Sequence, residues 1–326
     1  MKYRSTIGNG SIANINVGAK TFNIILLQLA FVLLLSFVND VICQTVTSDK
    51  KPLKVLIIGN SFSVNASRFL PALAKEGGHE LIIGRAEVGG CSIQRHWNFV
   101  EAYEANPEDT IGRPYQGKSL KMLLSAESWD IITLQQYSLL SSDFESYRPY
   151  ARKICDYIKK LQPNAEIVLH QTWAYRSDAT SFGKIAGDDR AKNHREMWEK
   201  SRAAYHQAAK DLGLRIIPVG DAFWTVASGE KWGYQKDQSY DFENPVYPTL
   251  PNQKTSLHAG YRWDKDKALK FDPNHANGAG SYLGSLIWYG FLFNEKLKQI
   301  NYFPESVSPD FAEYLRETAA LILNTN

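Results

Sequence analysis

The chain has 326 residues, 44% hydrophobic and 22% charged, the composition of an ordinary globular protein. Its 37 Lys and Arg against 34 Asp and Glu leave a net charge of +3, which makes no case for nucleic acid or a membrane surface as partner. Three cysteines are too few for a disulfide framework, and no CxxC or HExxH spacing marks a structural zinc site.

In chain order, the first signal is Lys2, Arg4 and Lys20 ahead of the apolar run "FNIILLQLAFVLLLSFV", Phe22 to Val38. Basic flank, apolar core and a following polar stretch describe a secretory signal peptide over residues 1–43. The run falls short of the ~20 residues that a membrane span needs. Cleavage after Cys43 fits the small or modest residues of "VIC"; Ile42 stands where lipid modification of Cys43 would want a small residue. An exported, periplasmic or extracellular protein without stable membrane insertion is expected. Loss of the leader removes three basic groups and Asp40, so the net charge falls to about +1. A short segment, 44–52, then precedes a single domain over 53–326, long enough for a sizeable core.

Five short apolar runs read as strands: "KVLIIG" (54–59), "ELIIGRAEVG" (80–89), "WDIITLQQ" (129–136), "AEIVLHQTW" (165–173) and "LRIIPVGDAF" (214–223). They are rich in Ile, Val and Leu without clean alternation, as strands covered on both faces are. Helical patterns separate them, at Ser67 to Glu76, Leu120 to Ser125, Tyr147 to Leu161 and Asn193 to Leu212. Ala279 to Asn294 and Asp310 to Leu323 read as two closing helices. Repeated strand–helix alternation predicts a three-layer α/β/α sandwich around a flavodoxin-like, five-stranded parallel sheet. The stretch 224–271 is aromatic-rich with little periodicity, and reads as an insertion over the carboxyl edge of the sheet.

Ligands of open parallel sheets bind beyond the carboxyl ends of the strands. There the sequence places Asn60, Ser61 and Ser63 after strand one, "GGCS" (89–92) after strand two and "LQQYS" (134–138) after strand three. "FDPNHANGAG" (271–280) stands before the helix at 279. Ser61 reads either as a helix cap or as a nucleophile, with Ser63 the better cap. His275 is the natural base, and Asp272 stands three residues before it, where its carboxylate can hold the imidazole. Asp272 also reads as a cap of the helix that follows at 279, with His275 in its first turn. Gly90 reads as a tight turn or as a close backbone approach to substrate.

At these residues the chain resembles the SGNH, or GDSL-type, serine hydrolase superfamily. "GNS" (59–61) matches the nucleophile block with Asn60 in place of Asp, "GCS" (90–92) the second block, and "DPNH" (272–275) the last. The Gly-x-Asn-Asp block is absent, and "LQQYS" resembles the Gln-containing third block of a sialate O-acetylesterase-like branch. The resemblance implies a Ser61–His275–Asp272 triad. It implies oxyanion donors from the backbone of Ser61 and Gly90 and the side chain of Gln135. Gln136 is the alternative should the register differ.

Asn60, Gln136, Trp173, Tyr175, Arg176 and Trp263 are candidate substrate contacts, the flat faces of the two tryptophans and the tyrosine suiting sugar rings. For Arg176, pairing with an acidic sugar and a solvent-facing position both stay open. The expected partner is an acylated glycan or other small ester, handled without metal or organic cofactor. The rival readings are a non-catalytic glycan-binding protein and a lipid esterase or thioesterase. Cys91 and Cys155 remain in the mature chain, free to pair or not.

Overall fold

The computed structural model describes residues 51–325, so the expected leader and most of the segment after it lie outside the described residues. Strand β1 (Leu53–Gly59) runs into helix α1 (Ser61–Ala66) and then α2 (Leu70–Glu76). Next come β2 (Leu81–Glu87), α3 (Ile93–Ala105), α4 (Leu120–Leu124) and β3 (Ile131–Leu134). Helix α5 (Tyr150–Leu161), β4 (Glu166–His170) and a small hairpin of β5 (Lys184–Ala186) and β6 (Asp189–Arg190) follow. The chain continues through α6 (His194–Leu212), β7 (Arg215–Ile217) and α7 (Val219–Ala227). A second hairpin, β8 (His258–Trp263) with β9 (Leu269–Ala276), leads into α8 (Gly278–Phe293) and α9 (Pro309–Thr325).

The central sheet has the order β2-β1-β3-β4-β7, and every pairing is parallel. Alternate residues of each strand feed opposite cores. Val55, Ile57, Ile131 and Val168 pack with Leu70, Leu73, Leu283, Leu286 and Trp288, beneath α2 and α8. Leu56, Ile58, Ile132, Leu134 and Leu169 pack with Ile93, Leu123, Ile154 and Tyr205, beneath α3 to α6. This is the predicted three-layer sandwich with the flavodoxin-like strand order. The chain leaves β1 to build β2 on one side and returns to place β3 on the other, so the end of β1 lies at the switch point.

Three local expectations are corrected. The fifth run does not continue as a strand to 223. Pro218 has no N–H for the ladder, and Val219–Ala227 is helical, with Asp221 in its first turn. "CSIQRHWNFVEAYEA" carries a thirteen-residue helix, α3, that the apolar pattern did not reveal, because polar and apolar residues alternate along it and it buries only Ile93, His96 and Val100. The irregular stretch 224–271 contains all of β8 and the start of β9, so part of it is an ordered antiparallel hairpin.

Close packing joins α8 to α1. A methyl group on Gly284 would lie 2.8 Å from Ala66 Cα, so only glycine permits the contact. Ser285 Oγ donates to Ala66 O at 2.8 Å and accepts from Phe69 N at 3.0 Å. Gly284→Ala is therefore expected to destabilise the fold by roughly 1–3 kcal/mol through overpacking, measured by urea denaturation. A change within ±0.5 kcal/mol would show that the two helices separate freely.

Candidate active site

β1 ends on Gly59, where a side chain would meet Ser63 Oγ at 2.5 Å and Gln135 Oε1 at 2.9 Å. Asn60 follows in extended conformation as the N-cap of α1, its Oδ1 accepting from Phe62 N at 3.0 Å. Asparagine therefore does the capping, which leaves the Ser61 hydroxyl available. Ser63 is fully buried and its hydroxyl reaches Asn60 O and Glu87 Oε1, so it is a strut inside the turn rather than the cap.

Ser61 Oγ lies 3.0 Å from His275 Nε2, and His275 Nδ1 lies 2.9 Å from Asp272 Oδ2. Asp272 Oδ1 accepts from the backbone N–H of Asn274 and of His275, both at 3.1 Å. Both residues stand on β9, and the cap of α8 is Asn277, which accepts from Gly280 N at 3.0 Å. The capping alternative for Asp272 is thus excluded. Burial raises the Asp272 carboxyl, but the N–H of His275, its imidazole and the N–H of Asn274 together hold it below the usual carboxylate value. An ionised Asp272 fixes the tautomer with Nδ1–H donating, leaving Nε2 to accept from Ser61.

Gly90 adopts φ +61, the left-handed region that favours glycine. Its turn is closed by Cys91 N donating to Val88 O at 3.1 Å and held to the strand end by Asn60 Nδ2 donating to Cys91 O at 3.0 Å. Among the described residues, the backbone N–H groups of Ser61 and Gly90 have no acceptor. Ser61, the Gly90 turn and the Asp272–His275 pair are thus gathered around the end of β1.

Gln135 does not belong to that rim. It is fully buried, and its amide N donates to Asn60 Oδ1 at 2.7 Å and to Gln136 O at 3.3 Å. An amide already bonded to the cap cannot turn to an oxyanion. Gln136 is equally internal: its Oε1 accepts from Ile93 N and Tyr137 N, and its Nε2 donates to Ser146.

The other candidate substrate contacts are corrected in the same way. Asn60 is 1% exposed and engaged on every side-chain atom that bonds hydrogen. Trp173 is buried between Phe62 (4.2 Å) and Phe223 (4.4 Å), its indole N donating to Asn274 O at 2.9 Å. Tyr175 is buried with its hydroxyl 3.1 Å from Ser138 Oγ. Arg176, neither solvent-facing nor open to a sugar, is buried against Asp178. Trp263 is half-buried on β8, bonded to Thr249 O, and pairs with Leu269, about 10 Å of strand away from Asp272.

Three contributors carried no sequence signal that singled them out. Asn65 Oδ1 accepts from Ala276 N at 3.1 Å, tying α1 to the strand that bears His275. The Tyr137 ring stands 3.8 Å from where a Gly90 side chain would begin. His96 joins α3 to the end of β1, with Nε2 3.1 Å from Gly59 O and Nδ1 2.7 Å from Tyr115 OH. Burial lowers it to about 4, so it stays neutral. Its spacing with Ile93 and Val100 fits one helix face but marks it no differently from any core residue.

His170 and His258 are also buried and neutral, lowered by burial to about 3 and about 4. Cys91 and Cys155 are free and buried, with thiols pushed up to about 12, so neither is a nucleophile. The large cleft of about 1000 Å³ is lined by Arg215, Phe291 and Leu297 beside the start of β7, and Ser61 takes no part in it.

Two outcomes follow. Asn60→Asp, which restores the residue type of the resembled motif, sets a carboxylate against Cys91 O with no proton to donate. It is expected to cost about 1–3 kcal/mol in urea denaturation near neutral pH; an unchanged midpoint would remove Asn60 as the link between the two loops. Because the folded Asp272 carboxyl is lowered, its contribution is complete above about pH 4 and is lost as pH falls through the folded value. Asp272→Asn should therefore lose less stability than the parent as pH falls below about 4, and an identical slope would contradict that.

Residues 54–237 match the family described as "Domain of unknown function (DUF4886)". No curated protein matches the chain. Among solved structures, the chain is similar to a DUF4886 family protein from Bacteroides uniformis, at 23% identity and a TM-score of 0.61, over 84% of this chain and 95% of that one. It is also similar to a candidate SGNH hydrolase from Slackia heliotrinireducens, at 22% identity and a TM-score of 0.43, over 73% and 98%. A candidate GDSL-like lipase from Parabacteroides merdae matches at 13% identity and a TM-score of 0.44, over 75% and 97%. The Bacteroides structure shares the fold, and the family match runs over more than half of the sequence: the chain belongs to the DUF4886 family.

Proposed function

We propose that the protein is an exported serine esterase that removes small acyl groups, acetyl above all, from a carbohydrate. The observation that carries this reading is the chain of contacts from Ser61 Oγ to His275 Nε2 at 3.0 Å and from His275 Nδ1 to Asp272 Oδ2 at 2.9 Å. In the first half-reaction Ser61 Oγ attacks the ester carbonyl carbon while its proton passes to His275 Nε2. Asp272 stabilises the imidazolium that results. The carbonyl oxygen, now anionic, faces the backbone N–H groups of Ser61 and Gly90. The intermediate then collapses, the carbon–oxygen bond to the sugar breaks, and His275 returns the proton to the departing hydroxyl. Water, deprotonated by the same imidazole, releases the acid and restores Ser61.

Two features support the substrate class. The Tyr137 ring stands against the Gly90 turn, a position that favours a small acyl group over a long one. In the aromatic stretch before β8, Tyr247 is 51% exposed, and an exposed ring of this kind, away from the reacting groups, suits the outer part of a glycan. The commitment of Gln135 to Asn60 favours the rival reading, a glycan-binding protein without turnover, since it leaves two oxyanion donors rather than three. One such donor is worth about 10²–10³-fold.

The two readings part on 4-nitrophenyl acetate and acetylated xylan. The parent is expected to hydrolyse both, preferring acetate to butyrate and octanoate. Ser61→Ala should fall to background, and His275→Ala should lose about 10²–10⁴-fold in kcat. Glycan binding without release of acetate by the parent would establish the rival.

A further inference from the structure

Arg176 is the most thoroughly enclosed charge in the described residues, its side chain 1% exposed and that of Asp178 5% exposed. The pair is bidentate, Nε to Oδ1 at 2.7 Å and Nη2 to Oδ2 at 2.9 Å. Nη1 donates to Gln253 Oε1 at 3.0 Å and reaches Ser256 Oγ at 3.5 Å, and Tyr234 OH donates to Asp178 Oδ2 at 3.1 Å. The guanidinium also lies over three rings, Tyr234 at 4.1 Å, Phe271 at 4.8 Å and Tyr261 at 5.2 Å. Desolvating an arginine costs several kcal/mol, so a burial this complete needs a reason beyond stability.

The reason lies one residue away. Phe271 immediately precedes Asp272, and Gly260 is the partner of Asp272 in the hairpin register. A side chain on Gly260, already at φ +66, would meet Arg176 Nη1 at 2.3 Å, so the hairpin is hollowed beneath Asp272 to admit the guanidinium. The backbone N–H of Arg176 donates to Pro273 O at 3.0 Å, and Trp173, on the same loop, donates to Asn274 O at 2.9 Å. The four residues of β9 from Asp272 to His275 therefore hang by two peptide carbonyls from the loop after β4. That loop is locked by Arg176 to Tyr234, Gln253 and Ser256 of the aromatic insertion.

We propose that Arg176, with Asp178, is a positioning residue for His275: the joint through which the aromatic insertion sets the direction of the imidazole toward Ser61. This rests on the hydrolytic reading for its consequence in rate, but not for its geometry. A displacement of about 1 Å at a reacting group costs on the order of 10²-fold.

The test uses the full chain with Arg176→Met/Asp178→Asn, which avoids a lone buried charge. Arg176→Lys serves as the milder second variant, keeping the cation but losing the fork. Arg215→Met, at the exposed pair with Glu166, is the control. For 4-nitrophenyl acetate, both Arg176 variants are expected to lose about 10–100-fold in kcat with KM within about twofold. The low-field proton resonance of His275 Nδ1–H should shift or broaden in both, and Arg215→Met should change neither. Folded variants with a lower Tm but unaltered kcat and resonance would overturn the proposal, leaving Arg176 a structural residue only. Should the parent hydrolyse no ester, the resonance decides alone, so that failure of the esterase reading and failure of the joint are told apart.

Discussion

The contact between His275 Nε2 and Ser61 Oγ joins groups 214 residues apart. Closing a loop of that length costs about 5 kcal/mol in chain entropy, against a net gain of roughly 0.5–1.5 kcal/mol for one hydrogen bond. The pair therefore cannot hold itself together. It exists because the layers around it are held by other forces, above all the burial of α8 across the sheet. Ala66, Ser285 and Gly284 bring α8 against α1 with no intervening side chain, and Asn65 fastens the β9 strand to the same helix. Ser61 and His275 are thus delivered to each other by packing and need only a short final adjustment.

Asn60 performs the corresponding task on the other side of the serine. One amide caps α1, holds the Cys91 carbonyl and accepts from Gln135. Through it the end of β1, the Gly90 turn and the end of β3 become one rigid piece. An aspartate would serve the cap but could not donate to Cys91 O, which gives a physical reason for asparagine in "GNS". The same bonds explain why the glutamine after the third strand is turned inward: it braces the cap. Polar groups held on such a frame need little reorganisation should charge develop beside them.

Much of this was legible in the sequence. Ile, Val and Leu runs ending on glycine and small polar residues mark the parallel strands, and Ser61, Gly90, Asp272 and His275 fall at strand ends or just before α8 because that is where such sheets place them. What escaped reading depended on partners far away in the chain. Nothing around Arg176 announces burial, because the groups that enclose it include Gln253 and Tyr261, and Trp173 reads equally well as a rim residue or as the filling of a Phe62–Phe223 stack. "RIIPVGDAF" has the apolar content of a strand and gives no period, so only Pro218 hinted that a helix begins there. The candidate substrate contacts failed for one shared reason: aromatic and polar side chains at a strand end serve equally as lining and as support.

The central claim is that Ser61 is a nucleophile activated by His275. Its most direct measurement is reaction of the protein with a fluorophosphonate ester, which loses fluoride to an activated serine, followed by mass-spectrometric mapping of the adduct. Serine-centred acyl transfer predicts a single adduct on Ser61, absent from His275→Ala under the same exposure. An unlabelled Ser61, or labelling that persists undiminished without His275, would contradict it.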